Sequence, residues 1–255
     1  MKRLVSSRLT GNLTPVHALE SYCERLETRC LLAGNVTASI SGAGNLTING
    51  DNAANAISVD VATDGTVVVT GLNGTTVDSG NLDTARLDGR LQINLRGGDN
   101  QLTITGDMGD LPIDDVRLSL GSGDDQLTIQ QLEGIQRDIV INTGSGDDVV
   151  LIEYVGVGRN LTLSGGSGEN QITIENSEMG VIDRGRLRIA TTSGDDQVAL
   201  SDIYIEGDIG IRSGGGADEI ELLRSYAAEG GDVDISSGSG NDQVRLTSSG
   251  TYIPM

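Results

Sequence analysis

Bulky aromatic residues are almost absent from this chain of 255 residues, which has no Phe, no Trp and five Tyr. A globular core of this size would usually contain them, so their absence argues against such a core. The narrow interior of a solenoid, by contrast, can be filled by Val, Ile and Leu. Histidine and cysteine are also scarce, and His17, Cys23 and Cys30 all precede residue 35. The rest of the chain therefore has no Ser/His/Asp or Cys/His catalytic set.

Lysine is nearly absent too, and the charge is asymmetric along the chain. Residues 1–34 carry five basic and three acidic side chains, whereas residues 35–255 carry 12 Arg, no Lys and 34 acids. A surface with this excess of carboxylates repels nucleic acid and anionic membranes, and it attracts divalent cations. No apolar stretch reaches the length of a membrane span. The sequence thus predicts no nucleic-acid partner and no membrane-spanning segment.

A glycine-rich acidic turn that leads into a short strand recurs along the chain. Its clearest copy is residues 121–129, GSGDDQLTI. The last acidic or amide residue of each turn serves as an anchor, and consecutive anchors are 22–26 residues apart. The anchors are Asn100, Asp125, Asp148, Asn170, Asp196, Asp218 and Asp242. A nearly constant period of this length is typical of a repeat architecture.

Each repeat contains two short segments in which apolar and polar residues alternate. Ile139 and Ile141 belong to one such segment, and Val150 and Ile152 to the next. This alternation and the many β-branched residues favour strands with one buried face. Stacking the repeats at roughly 4.8 Å lets like strands pair in parallel and buries these faces. One inward-facing ladder should comprise Leu127, Val150, Ile172, Val198, Ile220 and Val244. The predicted fold is all-β, a parallel β-helix or β-solenoid with a period of about 22–26 residues.

The chain divides into an N-terminal segment, residues 1–34, and the repeat domain, residues 35–255. Thr14 and Pro15 resemble a helix start, and the apolar residues that follow recur at helical spacing, which predicts a short amphipathic helix. This helix serves either in export or attachment, or as a cap on the open end of the solenoid. Within the repeat domain we predict irregular first turns with a hairpin in residues 56–80. The repeats should be regular over residues 91–246.

Residues 26–36, LETRCLLAGNV, resemble the LEPR-XLL-type N-terminal segment of exported and surface proteins of planctomycetes. Thr28 stands where that family has proline. The resemblance covers about a dozen residues. It implies a bacterial protein that is secreted or displayed on the cell surface, often one built of repeats. It implies no catalytic residue and no defined activity.

The acidic turns resemble the calcium-binding nonapeptide of RTX proteins, in which an Asp carboxylate and turn carbonyls hold calcium between stacked turns. Gly121, Gly123, Asp125 and Leu127 match that pattern, although RTX repeats recur every nine residues and these about every 24. Stacked carboxylates repel by about 1 kcal/mol in water, and calcium between them would reverse the sign. The candidate ligands are Asp124, Asp125, Asp147, Asp148, Asp195, Asp196, Asp218 and Asp242. The alternative is that glycine and Asp or Asn merely form the turn.

An enzyme is the competing functional class, because parallel β-helices include polysaccharide lyases and hydrolases. Such enzymes usually build a cleft from long loops, and sugar sites favour aromatic platforms. Here the connections are short. One hint of a binding surface comes from Tyr204 and Tyr226, which are one repeat apart and have Tyr154 nearby. We therefore predict a non-catalytic, exported solenoid. It would act as a structural or interaction module of the cell surface, with calcium as cofactor and a surface polysaccharide or protein as partner. A carbohydrate-binding or polysaccharide-degrading β-helix is the alternative.

Overall fold

The computed structural model describes residues 33–251 except residues 83, 108, 110–112 and 181–183. The predicted N-terminal helix and most of the LEPR-XLL-like segment lie outside the described residues. The described part is all-β. None of its residues builds a helix of the length and apolar character needed to cross a membrane.

The strands are β1 Asn35–Ile40, β2 Leu46–Asn49, β3 Ala56–Val61, β4 Val67–Gly71, β5 Thr76–Asp78, β6 Leu91–Asn94, β7 Gln101–Gly106, β8 Val116–Ser122, β9 Gln126–Gln130, β10 Ile139–Ser145, β11 Val149–Glu153, β12 Gly156–Val157, β13 Leu161–Ser167, β14 Gln171–Glu175, β15 Glu178–Met179, β16 Leu187–Ser193, β17 Gln197–Ser201, β18 Tyr204–Ile205, β19 Ile209–Arg212, β20 Glu219–Leu223, β21 Tyr226–Ala227, β22 Val233–Ser236, β23 Gln243–Thr247 and β24 Gly250–Thr251.

These strands form three sheets that run along a parallel β-solenoid. The first sheet has the order β22-β19-β16-β13-β10-β8-β6-β2-β1-β5, and the second has β23-β20-β17-β14-β11-β9-β7-β3-β4. The third sheet contains the two-residue strands β12, β15, β18, β21 and β24. About six regular turns follow one another from β8 and β9 to β22 and β23. The predicted fold class and repeat period are confirmed, because like strands pair in parallel with partners one repeat apart, such as Leu127 with Val150.

The interior is filled by aliphatic side chains, as alternation along the strands predicts. The residues Leu127, Val150, Ile172, Val198 and Ile220 are at most 2% exposed and form one ladder in the second sheet. Val244, predicted to continue this ladder, is in register with Ile220 but is 47% exposed. Its strand, β23, is at the end of the second sheet and has a neighbouring strand on one side among the described residues.

The first turns are irregular. β3 and β4 pair in antiparallel fashion around the turn at residues 63–66, where Asp64 Oδ1 accepts the backbone N–H of Thr66 at 2.8 Å. β3 also pairs in parallel with β7. Asn55 and Asn100, which are 45 residues apart in sequence, therefore lie on neighbouring turns, and the chain between them forms an insertion. An antiparallel pairing that the sequence did not indicate joins β1 to β2. As a result, β4 and β5 form the outermost strands at this end of the two large sheets.

Candidate functional site: two columns of side chains in the stacked acidic turns

Glycine shapes the turn that connects the first sheet to the second. Gly144 has a φ of 110°, a region that residues with a side chain rarely adopt. A Cβ atom at this position would overlap the carbonyl oxygen of Gly121 on the preceding turn. Gly166 stands in the same relation to Gly144. Close stacking of the turns therefore requires glycine, and it fixes the direction in which the next acidic residues point.

The anchor residues point into the molecule and form what we call the inner column, which begins at Asn55. The Oδ1 atom of each anchor accepts the backbone N–H of the anchor one turn earlier, over distances of 2.8 to 3.4 Å. Its members are Asn55, Asn100, Asp125, Asp148, Asn170, Asp196, Asp218 and Asp242. All but Asp242 are at most 2% exposed. The column therefore satisfies a row of backbone donors that the turns would otherwise leave buried and unpaired.

Asparagine members of the inner column use their second polar atom as a donor. The Nδ2 group of Asn100 donates to the carbonyl oxygen of Gly98 at 2.8 Å and to that of Leu120 at 3.1 Å. The same group of Asn170 donates to Gly168 O at 3.1 Å. In both cases it also donates to Oδ1 of the next anchor. Asn100 and Asn170 thus have hydrogen bonds at both ends of the side chain, whereas Oδ1 of Asn55, at the start of the column, has no partner among the described residues.

Aspartate members of the inner column have an oxygen where asparagine has its amide nitrogen. The Oδ2 atoms of Asp125, Asp148, Asp196 and Asp218 are buried and have no hydrogen-bond partner. Burial raises the pKa of the Asp125 carboxyl to about 6, and it raises the pKa of Asp148 and Asp196 as well. Desolvation disfavours the charged form of a carboxyl group, which explains the direction of these changes.

The residue before each anchor points to solvent, and these residues form the outer column. Here the hydrogen bonds run the other way along the stack: Asp124 Oδ1 accepts the N–H of Asp147 at 2.9 Å, and Asp147 Oδ1 accepts that of Glu169 at 2.8 Å. Asp99 and Asp195 have the same relation to the following turn. The outer column carries an exposed acid on five consecutive turns: Asp99, Asp124, Asp147, Glu169 and Asp195.

The structure therefore separates the two residues of each predicted pair. Asp124, Asp147 and Asp195 belong to the outer column, whereas the predicted ligands Asp125, Asp148, Asp196, Asp218 and Asp242 belong to the inner one. Sequence reasoning did not identify Asp99 and Glu169 as outer members. The signal was present, since each directly precedes an asparagine anchor. Among the described residues, no three His, Cys, Asp or Glu side chains form a group that could hold a metal ion.

A groove of about 300 Å³ lies beside the third sheet and contains an exposed aromatic ring. It is lined by Tyr154 together with Glu133, Gln136, Asn176 and Glu178. Tyr154 has a φ of 53°, and the residues at the same corner of other turns have similar values. The predicted neighbours Tyr204 and Tyr226 are paired in register in the third sheet.

Comparison of the chain with protein-family models, with curated proteins and with solved structures finds no match. The LEPR-XLL and RTX resemblances therefore stay predictions.

Proposed function

We propose that this chain is a non-catalytic, exported β-solenoid that serves as a structural or interaction module of the bacterial cell surface, and that its outer column binds calcium. The observation that carries this proposal is the outer column itself, five exposed carboxylates on consecutive turns of a rigid stack. In the described residues from β8 to β23, the connections between strands are short, and long loops such as those that form an enzyme cleft are absent from this part of the stack. Antibody labelling of intact cells tests the location, and a signal that needs permeabilised cells contradicts it.

The spacing of the outer column suits calcium. Equivalent atoms on neighbouring turns are separated by about one strand spacing, roughly 4.8 Å. Calcium binds oxygen at about 2.3–2.6 Å, so one ion between two stacked carboxylates can reach both. Asp124 and Asp147 form the central pair. Water and turn carbonyls would supply the other ligands, and such sites in extracellular modules bind with dissociation constants of about 10⁻⁴–10⁻³ M.

The inner column suits calcium less well. In its asparagine members the amide nitrogen lies 2.7–3.1 Å from the nearest carbonyl oxygens. For a calcium ion to lie between a carboxylate oxygen and one of those carbonyl oxygens, the two oxygens must be about 4.8 Å apart, which is twice the calcium–oxygen distance. The proposal therefore assigns calcium to Asp124, Asp147 and their outer neighbours. Asp125 and Asp148 hold the turns in place.

We expect calcium to raise the melting temperature of the protein. At a calcium concentration of ten times Kd, selective binding to the folded state stabilises it by about 1.4 kcal/mol, which corresponds to about 3–6 °C for a domain of this size. The double variant Asp124→Asn/Asp147→Asn should lose most of this increase. The measurement is a thermal melt followed by circular dichroism during a calcium titration.

The matched control for calcium removes two exposed carboxylates elsewhere, in Asp60→Asn/Glu229→Gln. It should retain the calcium effect, because neither residue belongs to the outer column. Magnesium should act weakly, since it requires a tighter octahedral shell. An unchanged melting curve at 10 mM calcium would contradict calcium binding but leave the structural role of the solenoid standing.

Carbohydrate binding is the second candidate, and the groove at Tyr154 favours it. The corner that Tyr154 occupies has a positive φ in six turns, at Gln131, Tyr154, Asn176, Asp202, Arg224 and Ser248. Asn is the residue best suited to this conformation and Tyr is not, so the turn itself gives no reason for an aromatic ring. The ring stands beside the carboxylates and amides of the groove, and together they offer a flat apolar face with polar groups at its rim.

We expect Tyr154→Asn to abolish retention of the protein on polysaccharide affinity gels while leaving its stability unchanged or higher. Gln131→Asn, at the same corner one turn earlier, is the control and should leave retention unchanged. Gels of neutral and of acidic polysaccharides should be compared with a polysaccharide-free gel. Equal retention of the wild type and the Tyr154→Asn variant rules out this groove as a carbohydrate site.

A further inference from the structure

A second groove, of about 310 Å³, lies on the outer face of the first sheet and spans three neighbouring turns. Its floor is Gly210 in β19, with Arg188 of β16 on one side and Asp234 of β22 on the other, both in register with it. Six charged side chains surround this floor: Arg186, Arg188, Arg212, Asp208, Asp232 and Asp234. The volume is at the lower end of the range of small-molecule sites.

The fold itself gives no reason for glycine at position 210. The φ of Gly210 is not positive, and an added Cβ atom would meet nothing closer than Leu187 O at 3.9 Å. Both strand pairings continue through this residue without a bulge. The same register position carries a side chain in the other strands from β6 to β22: Gln92, Arg117, Val140, Thr162, Arg188 and Asp234. Glycine inside a strand weakens it and often marks a place where a ligand approaches the backbone closely.

The charges around Gly210 are divided by sign. Arg188 lies on the preceding turn, and Arg212 follows Gly210 by two residues, so it lies on the same face of β19. Asp232 and Asp234 lie on the following turn. The groove is therefore positive on one side and negative on the other. With three arginines and three aspartates it is neutral as a whole, in a domain that has 12 Arg and 34 acids.

Two of the six charged groups have no ionic partner. Arg186 Nε lies 3.0 Å from Asp208 Oδ2, and Arg212 Nη2 lies 3.8 Å from Asp234 Oδ2. Among the described residues, neither Arg188 nor Asp232 forms an ion pair. The turns of these two residues are separated by the turn of Gly210, so their backbones are roughly 9.6 Å apart. One unpaired charge of each sign is thus left on opposite sides of the open floor.

We propose that the groove over Gly210 binds a small zwitterion, a molecule with one carboxylate and one amine, as in an amino acid. The carboxylate accepts hydrogen bonds from the guanidinium group of Arg188, with Arg212 on the same side. The amine donates to the carboxylates of Asp232 and Asp234. This site belongs to the first sheet, so it is independent of calcium at the outer column and of the groove at Tyr154.

A ligand with a single charge suits the groove less well. An anion that binds Arg188 is repelled by Asp232 and Asp234, and a cation that binds those aspartates is repelled by the arginines. A zwitterion lying over Gly210 is attracted at both ends. The fork of a guanidinium group also matches the two oxygens of a carboxylate, which fixes the direction in which the ligand lies.

The test is an NMR titration of the isotope-labelled protein with 4-aminobutyrate, following the backbone amide signals of Arg188 and Arg212. Two probes of similar shape each lack one charge, since butyrate has no amine and butylamine has no carboxylate. We expect saturable shifts with 4-aminobutyrate, and binding of either single-charge probe that is weaker by about tenfold or more.

Two variants place the binding in the groove. Gly210→Val fills the floor with a residue that strands accept readily, and it should abolish the shifts. Arg188→Gln changes an exposed side chain and should weaken binding by about tenfold or more. The matched control is Arg117→Gln, at the same register position three turns earlier, which should bind as the wild type does.

Four outcomes overturn the proposal. One is the absence of saturable shifts with 4-aminobutyrate, and another is equally tight binding of butyrate or butylamine. A third is tighter binding of glucuronate, which has a carboxylate and hydroxyl groups but no amine and would make the groove a site for acidic sugars. The fourth is an equal effect of Arg188→Gln and Arg117→Gln, and it can be observed even if Gly210→Val does not fold.

Discussion

Gly144→Ala is expected to lower the free energy of unfolding by about 3–5 kcal/mol, which is near the upper end for a single substitution. Two effects combine. A φ of 110° at Gly144 is a conformation that alanine adopts with strain. The added Cβ would also overlap the carbonyl oxygen of Gly121, which belongs to the backbone of the adjacent turn and cannot rotate away. The measurement is denaturant unfolding at constant pH.

Gly210→Ala provides the control for that result. Gly210 lies in β19 of the first sheet, and a Cβ there would meet nothing closer than Leu187 O at 3.9 Å. Its replacement should be neutral or slightly stabilising, because alanine reduces the freedom of the unfolded chain. If the two variants lose the same amount of stability, close stacking of the glycine turns does not limit the choice of residue at 144.

The repeat architecture could be predicted because the sequence has two periodic patterns. Alternation of period two marks the buried face of each strand, as in Gln126–Gln130, and the anchor spacing of 22–26 residues sets which strands are neighbours. The hairpin of β3 and β4 was also indicated, by the turn residues Asp64 and Gly65. The third sheet was not. Its strands have two residues each, so alternation cannot be recognised in them.

The sequence predicted most of the residues of the candidate site, but it did not predict how their side chains are arranged. The sequence identifies Asp124 and Asp125 as an acidic pair, but which of them faces solvent depends on the positive φ of Gly121 and Gly123. Those glycines interrupt the strict alternation that assigns faces in a strand. In the sequence, the anchors Asn100 and Asn170 interrupt the row of aspartate anchors. With two rows, Asp99 and Glu169 continue the outer one, and the amides belong to the inner one.

Asp125→Ala is expected to lower the free energy of unfolding by about 1–3 kcal/mol at pH 7. Asp125 Oδ1 accepts two hydrogen bonds from Asn100, one from the backbone N–H at 2.8 Å and one from Nδ2 at 2.9 Å. The Nδ2 group keeps its bonds to Gly98 O and Leu120 O, but the buried backbone N–H of Asn100 loses its acceptor, which costs about 1–3 kcal/mol. Asp124→Ala is the comparison. Asp124 Oδ1 accepts the backbone N–H of Asp147 at the surface, so water can replace the acceptor that this substitution removes.

Comparing the stability of the protein with alanine, aspartate or asparagine at position 125 distinguishes two roles of an inner-column side chain. Oδ1 holds the preceding turn, and both aspartate and asparagine provide it. The second polar atom of an asparagine donates, as that of Asn100 does to Gly98 O, whereas that of Asp125 is a buried oxygen without a partner, and burial raises the pKa of this carboxyl to about 6. At pH 7 we therefore expect stability to fall in the order Asn, Asp, Ala, with Asp124→Ala within about 1 kcal/mol of the wild type. At pH 4 the first two should converge while alanine stays lowest. If alanine at 125 is no worse than alanine at 124, the buried hydrogen bonds of Asn100 do not contribute to holding the turns together.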